Sequence, residues 1–382
     1  MSNFEIVMMS KYIRPEIKEN RSNNWVMNGN KNEFYQYIID RYDGSPTHSA
    51  IVDSYIDLIY GRGLRAKNEV TNVSDWVRLK QVLKQSDLRR MINDYVLFNE
   101  FSFEVIENRG RNLASITHIP KEMVIPSLEN EDGVIESYWF SKKWAKYTLA
   151  EYKPEEFNAF NGKKQKNCIY VAKPYRSGCD YFSKPLYISG LHYAVAEEEI
   201  ANLYVNSIKN GLSAGYVINV ANGKNWTTEQ KREFKKAIEK KLTGSPNASS
   251  FIISFNGEEV DVKVEALPVN ENVHKQWQYL TEEARQQLIT AHKVTSPMLF
   301  GIKDNTGLGN NANELDEAEA QLMKRVIQPK QDFIISKLQE VLELYGINLQ
   351  LYFAPLTDIN EASAPDTNEA LSLKKKSDLD TF

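Results

Sequence analysis

Cysteine is nearly missing from this 382-residue chain: Cys168 and Cys179 are the two there are. Their spacing fits neither a disulfide framework nor a Cys-x-x-Cys metal or redox pair, so a reducing compartment is expected. Long apolar runs are missing too, since nothing approaches the roughly 18 residues that a membrane span needs. The start, MSNFEIVMMSKYIRP, has a short apolar patch at Ile6–Met9 but lacks the apolar core and small-residue cleavage site of a signal peptide. A soluble protein made inside a cell, with no membrane partner, is expected. Positive charge is not in excess either. A formal net charge of −4 argues against a broad basic face that grips nucleic acid, while weak or sliding contact stays compatible with it.

Catalytic patterns are equally sparse. The five histidines, His48, His118, His192, His274 and His292, are scattered, with no pair at metal-ligand spacing on one helix and none in an H-E-x-x-H context. One G-x-S-x-G string occurs, Gly211-Leu212-Ser213-Ala214-Gly215, but it leads from a helical pattern into a strand, the reverse of the strand-to-helix turn of a nucleophile elbow. No catalytic residue, metal site or cofactor is therefore assigned, and the chain reads as a non-enzyme.

What the chain does contain is enough apolar side chain, 42% of residues, for two or three structural units, and an α+β order of elements. From Lys31 to Tyr60 apolar residues recur at helical spacing around an Asp43-Gly44-Ser45-Pro46 break, which predicts two helices with Gly61 and Gly63 ending the second. A third helix is expected over 74–97, with Ser74 as N-cap. The next hundred residues change period. Phe101, Phe103 and Val105 alternate, and short strands are expected at 115–119, 123–125, 134–140 and 168–171, with the many aromatics filling a mixed-sheet core.

Residues 186–210 form one helical pattern of about 35 Å at 1.5 Å per residue. A compact unit follows: a strand at 214–220, a helix at 227–242 whose Thr227 and Gln230 have capping-box spacing, and strands at 250–255 and 260–264. Its helix carries Lys231, Arg232, Lys235, Lys236, Lys240 and Lys241, a solvated face or a dock for an acidic partner. A second long helix over 271–294 has Val273, Trp277, Leu280, Ala284, Leu288 and Ala291 on a narrow coiled-coil-like seam. A third, from 314 to 345, contains Pro329 and should kink or break there. A strand at 348–353 and a polar tail from about 358, expected to be exposed or disordered, end the chain. Glu197, Glu198 and Glu199 point 100° apart in turn and read as a solvated or subunit-facing edge.

Between the second and third long helices runs SPMLFGIKDNTGLGNNANELDEAEAQL. It is not a phosphate loop: Gly301 and Gly307 are followed by Leu308 rather than Lys, Gly307 and Gly309 lack the third glycine of G-x-G-x-x-G, and the following helix opens with Glu314, Asp316, Glu317 and Glu319. A nucleotide-binding enzyme using 301–319 and an adaptor without a channel are the rival readings.

The stretches GLHYAVAEEEIANLYVNSIKNGLSAGYVINV, LTEEARQQLITAHKVTSPMLFGI and NNANELDEAEAQLMKRVIQPKQDFIISKLQEVL, with SPTHSAIVDSYIDLIYGRGL before them, resemble in their order the portal proteins of tailed bacteriophages, of the type found with HK97-like heads. The resemblance spans roughly residues 40–354. It implies a portal-type fold: a wing body from 1–185, stem helices at 186–211 and 269–295, a clip at 212–268, a tunnel loop at 296–319, a tunnel helix and return strand at 320–354, and a polar tail or reduced crown at 355–382. It further implies a homo-oligomeric ring, usually of twelve subunits, at the unique capsid vertex of a virion. Double-stranded DNA would pass through it without sequence specificity during packaging and ejection. The terminase large subunit, a head-tail adaptor and the major capsid protein would be its partners, met in the host cytoplasm during assembly. On this reading Lys303, Asn305, Gly307, Gly309, Asn310 and Asn311 face DNA in the tunnel loop. Trp277, Leu280, Ala284 and Leu288 pack the stem, with Tyr204 and Tyr279 as interface candidates. Lys231, Lys235 and Lys236 are the candidate docking residues of the clip.

Overall fold

The computed structural model describes residues 16–209, 216–220, 225–242, 251–255, 263–266, 273–302 and 312–356. The chain divides into two compact units, Met1–Ile39 with Ala50–Pro185 and Val294–Phe382 in one, and Asp40–Ser49 with Leu186–Lys293 in the other. No helix among the described residues is long and apolar enough to cross a membrane.

The first unit opens with an antiparallel pair, β1 (Ile17–Asn20) and β2 (Trp25–Asn28); α1 (Glu33–Gly44) and α2 (Pro46–Tyr60) follow, separated at the expected break, and the end of α1 and start of α2, Asp40–Ser49, count with the second unit. Gly61 ends α2 with φ 53°. A Cβ there would lie 2.0 Å from the Ala354 carbonyl oxygen, so the close approach requires glycine. After β3 (Leu64–Ala66), the single helix expected over 74–97 is two: α3 (Val73–Val82) and α4 (Gln85–Phe98). Leu83 is extended (φ −124°, ψ 115°) and buried, and it bridges to Ile116; placing that side chain against the sheet costs the helix its continuity. The cap of α3 is Asn72, whose side chain accepts from the Asp75 N–H, and Ser74 lies inside the first turn.

A six-stranded sheet follows, built from β4 (Phe101–Glu107), β5 (Leu113–Ile119), β6 (Val124–Pro126), β7 (Ser137–Phe140), β8 (Glu155–Ala159) and β9 (Asn167–Ala172), in the order β5-β4-β9-β8-β7-β6. Only β8 and β9 pair parallel. The expected strands are present with shifted ends, whereas β8, of sequence EEFNA, shows no apolar alternation and is held by ladders on both sides. The aromatics do fill cores. Trp25 meets Trp139, Trp144 and Tyr147 edge to face at 5.3–5.6 Å, and Phe101 and Phe103 are fully buried.

The second unit holds α5 (Leu191–Lys209), preceded by a 3-10 turn at Ile188–Gly190, then β10 (Tyr216–Val220), α6 (Thr228–Leu242), β11 (Phe251–Phe255), β12 (Lys263–Ala266) and α7 (Val273–Ala291). In its small sheet, β10 lies between parallel β11 and antiparallel β12, with α6 as the crossover that a parallel pair demands. The helices α5 and α7 pack on each other.

The chain then rejoins the first unit through α8 (Ala312–Leu322), a π turn at Met323–Ile327, α9 (Gln328–Leu344) and β13 (Leu351–Phe353), which pairs antiparallel with β3. The interruption expected at Pro329 falls one turn earlier. Pro329 sits in the first turn of α9, where a missing N–H is harmless, and the Gln328 N–H reaches back five residues to the Met323 carbonyl. Tyr95 and Phe333 stack at 5.2 Å, fixing α9 to α4.

Candidate channel and docking elements

The six loop residues Lys303, Asn305, Gly307, Gly309, Asn310 and Asn311 lie outside the described residues. What is described are the two ends of their loop. Pro297–Phe300 forms a 3-10 turn closed by Gly301 in the left-handed region (φ 69°), with Phe300 buried and edge-on to Tyr55 at 5.5 Å. The Thr295 hydroxyl donates to the Ala318 carbonyl at 2.8 Å, so the chain leaves and re-enters beside α8. The first turns of α8 expose Glu314, Asp316 and Glu317, which favour the helix dipole and repel phosphate.

Along α7 the expected seam is real only in part. Ala284 and Leu288 are 2% and 1% exposed, and Trp277 is half-buried with its ring edge-on to Tyr204 at 5.3 Å. Leu280, expected in the same seam, is instead 49% exposed. At 100° per residue Leu280 lies about 60° around the helix from Trp277 and about 40° from Ala284, so it sits at the rim of the buried stripe. Leu280 joins Tyr279, Leu203, Tyr204 and Val205 among the exposed apolar side chains of α5 and α7.

The glutamate run on α5 is a correction. Glu197 accepts from the Ser45 hydroxyl at 2.5 Å and the Thr47 N–H at 3.2 Å, which makes it a cap for the start of α2. Glu198 pairs with Arg41 at 2.7 Å, and only Glu199 faces solvent. Sequence reading missed this because the partners lie some 150 positions away.

It also missed a histidine pair. His48 Nδ1 and His292 Nε2 stand 2.8 Å apart, both rings buried, with Tyr187 at 4.6 Å from each ring centre. Burial lowers the His48 pKa to about 4. Two imidazoles and a phenol ring make a structural joint. Among the described residues no group of three or more His, Cys, Asp or Glu side chains is arranged to hold a metal.

A second buried polar cluster lies in the first unit. The Tyr35 hydroxyl donates to Glu100 at 2.5 Å, and the Lys121 ammonium donates to Tyr35 at 2.9 Å and to the Val124 carbonyl at 3.1 Å. Asp94 accepts from His118 and from the Lys121 N–H. Burial lowers the Lys121 pKa, against the pull of Glu100 and Asp94. The cluster is enclosed: Lys121 is 1% exposed and Glu100 0%, so it lies in the core of the first unit and offers no reacting surface.

In the small α/β unit the capping box is formed in both directions, Thr227 N–H to the Gln230 side chain at 2.9 Å and Gln230 N–H to the Thr227 hydroxyl at 3.3 Å. On α6, Lys235 and Lys236 are exposed and Lys231 is half-buried, while Trp226 packs edge-on to Phe234 at 5.3 Å. Cys168 and Cys179 are both reduced and buried, and burial pushes the Cys168 thiol up to about 11.

No protein-family profile matches the sequence, and no curated protein matches it. Solved structures do match in fold. A chain in the virion of the native gene transfer agent (GTA) particle superposes with a TM-score of 0.56 at 12% identity, covering 91% of this chain and 90% of that one. A chain in the neck of the empty GTA particle, computed with C6 symmetry, gives 0.57 at 12% identity over 90% and 88%. An HK97-family phage portal protein from Corynebacterium diphtheriae gives 0.48 at 9% identity over 87% and 96%, a score that adds nothing to the fold assignment. This chain therefore shares, over nine-tenths of its length, the fold of a virion and neck component, in agreement with the phage-portal resemblance of its sequence.

Proposed function

We propose that this chain is a portal subunit: a non-enzymatic ring at one vertex of a phage capsid, through which the genome is packaged and ejected. The observation that carries it is the fold shared over 90% of this chain with a neck chain of a particle, at a TM-score of 0.57, together with the order of long helix, small α/β unit, long helix and interrupted helix. In this reading α5 and α7 are the stem, α6 with β10, β11 and β12 is the clip that meets terminase and the head-tail adaptor, and residues 303–311 form the constriction that DNA passes. A wall without strong phosphate clamps suits a sliding polyanion, since each tight contact would slow it. Acidic side chains at the start of α8 fit that requirement, with Lys303 the single cation in the loop and Asn305, Asn310 and Asn311 as neutral donors.

The test is electron microscopy of the purified full-length protein. Closed rings with a central hole are expected, and only open or monomeric particles would defeat the reading. Deleting Asn305–Asn310 should leave the rings intact and impair DNA packaging or retention. Equal packaging by that variant removes the tunnel-loop assignment while leaving the ring.

A further inference from the structure

Two short segments far apart in sequence, NRGRN and NGKKQK, meet at one end of the six-stranded sheet. The first, Asn108–Asn112, joins β4 to β5, and the second, Asn161–Lys166, leads into β9, which pairs antiparallel with β4. They touch directly: the Glu107 N–H donates to the Lys166 carbonyl at 2.9 Å, and Arg111 reaches the Lys164 carbonyl at 3.5 Å. Arg109, Arg111, Lys163, Lys164 and Lys166 are all exposed there. Neither segment contains a carboxylate. The nearest one, Glu107, has a side chain only 6% exposed and lies 3.8 Å from Arg111. In a chain of net charge −4, five cations with no exposed counter-charge between them form a local positive field.

The backbone under these cations is fixed. The Asn108 side chain accepts from the Gly110 and Asn112 N–H groups at 2.9 and 3.1 Å, and Arg111 is held at φ 60°. In the second segment Asn161 accepts from the Lys163 N–H at 3.1 Å and from Gln165 at 2.6 Å, and the Lys164 ammonium sits 5.0 Å above the Tyr345 ring. Ordering the turns beforehand lowers the entropy lost when a ligand binds.

We infer that this end of the sheet is a binding surface for the phosphate backbone of double-stranded DNA. Lys and Arg beside Asn and Gly on a rigid turn supply charge and neutral hydrogen bonds to phosphate oxygens, without reading sequence. A protein partner would need an apolar anchor at the centre of its contact, and none of the exposed large apolar side chains belongs to these two segments. The inference does not rest on the channel reading, because its test uses DNA that cannot thread a ring.

The experiment measures binding of the full-length protein to a small closed DNA circle, which cannot thread a preassembled ring, as salt is raised. If all five cations meet phosphates, log K falls against log salt with a slope of about −4. The variant Arg109→Gln, Lys163→Gln, Lys166→Gln should bind more weakly and lose roughly three units of that slope. The charge-keeping variant Arg109→Lys, Lys163→Arg, Lys166→Arg should keep it. Lys142→Gln, Lys143→Gln, Lys146→Gln, at exposed lysines elsewhere on the first unit, should leave it unchanged, and unaltered thermal melting confirms that each variant is folded. Wild-type protein that ignores the circle, a slope that survives the glutamine variant, or displacement of the circle by polyglutamate at equal charge overturns the inference, the last in favour of an acidic protein partner.

Discussion

His48 shows how much one residue's surroundings decide. Its ring is sealed between His292, Tyr187 and Tyr42, and its turn is tied through Ser45 to Glu197. Burial holds its pKa at about 4, below the value near 6.5 that the unfolded chain would show. Between those two values the unfolded state binds more proton than the folded one. The stability that His48 contributes is thus complete above about pH 6.5, declines as pH falls toward 4 and is level below, an effect of up to about 3 kcal/mol. Urea titrations at pH 7 and pH 5 should show wild type losing stability, and His48→Gln, which cannot titrate, losing less by nearly one proton's worth. Equal losses would mean that the pair is not what senses acid. None of this was legible in the sequence. His48 and His292 are 244 positions apart, and periodicity carries no information about which distant turns meet. The same holds for Glu197, read as a solvated edge until its partners in the Ser45–Thr47 turn were known, and for Lys121, whose charge gave no sign of a buried cluster.

At the scale of elements, local chemistry was a better guide. The capping box at Thr227, the glycine stop of α2 and the two helices around Pro46 are written in residues three or four apart, and they form as written. Where tertiary contact overrides local pattern, the boundaries moved: Leu83 is pulled out of a helix to reach Ile116, and EEFNA becomes a strand between β7 and β9. The entry to α5 is such a place. Residues 186–210 read as one helix, yet α5 starts at Leu191, after a turn whose Gly190 lies against α7 so closely that a Cβ would stand 2.6 Å from the Ala291 Cβ. Gly190→Ala should therefore cost about 1–3 kcal/mol by overpacking. Ala291→Gly in the same chain should restore most of it, because the two substitutions exchange one methyl across the same gap. Additive losses in the double variant, measured by urea unfolding, would show that some other strain is responsible.

At the scale of the molecule, the apolar side chains of α5 and α7 divide into two sets with different expected roles. Ala284, Leu288 and Ile289 are buried within the subunit, so polar substitution there removes its core. Tyr279 at 67% exposure and Leu280 at 49% contribute little to a lone subunit's stability, with Leu203 and Val205 similarly bare on α5. In a closed ring every subunit presents one surface to its neighbour and receives a different one, so an apolar face left open on each copy is what such an interface requires. Burying a Tyr or Leu side chain is worth roughly 1.5–3 kcal/mol, and a ring repeats that gain at each junction. Tyr279→Ser with Leu280→Ser should hence leave the unfolding midpoint of dissociated subunits nearly unchanged, within about 0.5 kcal/mol, while raising the concentration needed for rings in sedimentation by tenfold or more. Rings that form at the wild-type concentration would place this face in solvent and move the subunit junction elsewhere. A variant that unfolds instead would mean that Tyr279 and Leu280 belong to the fold of the α5–α7 pair itself.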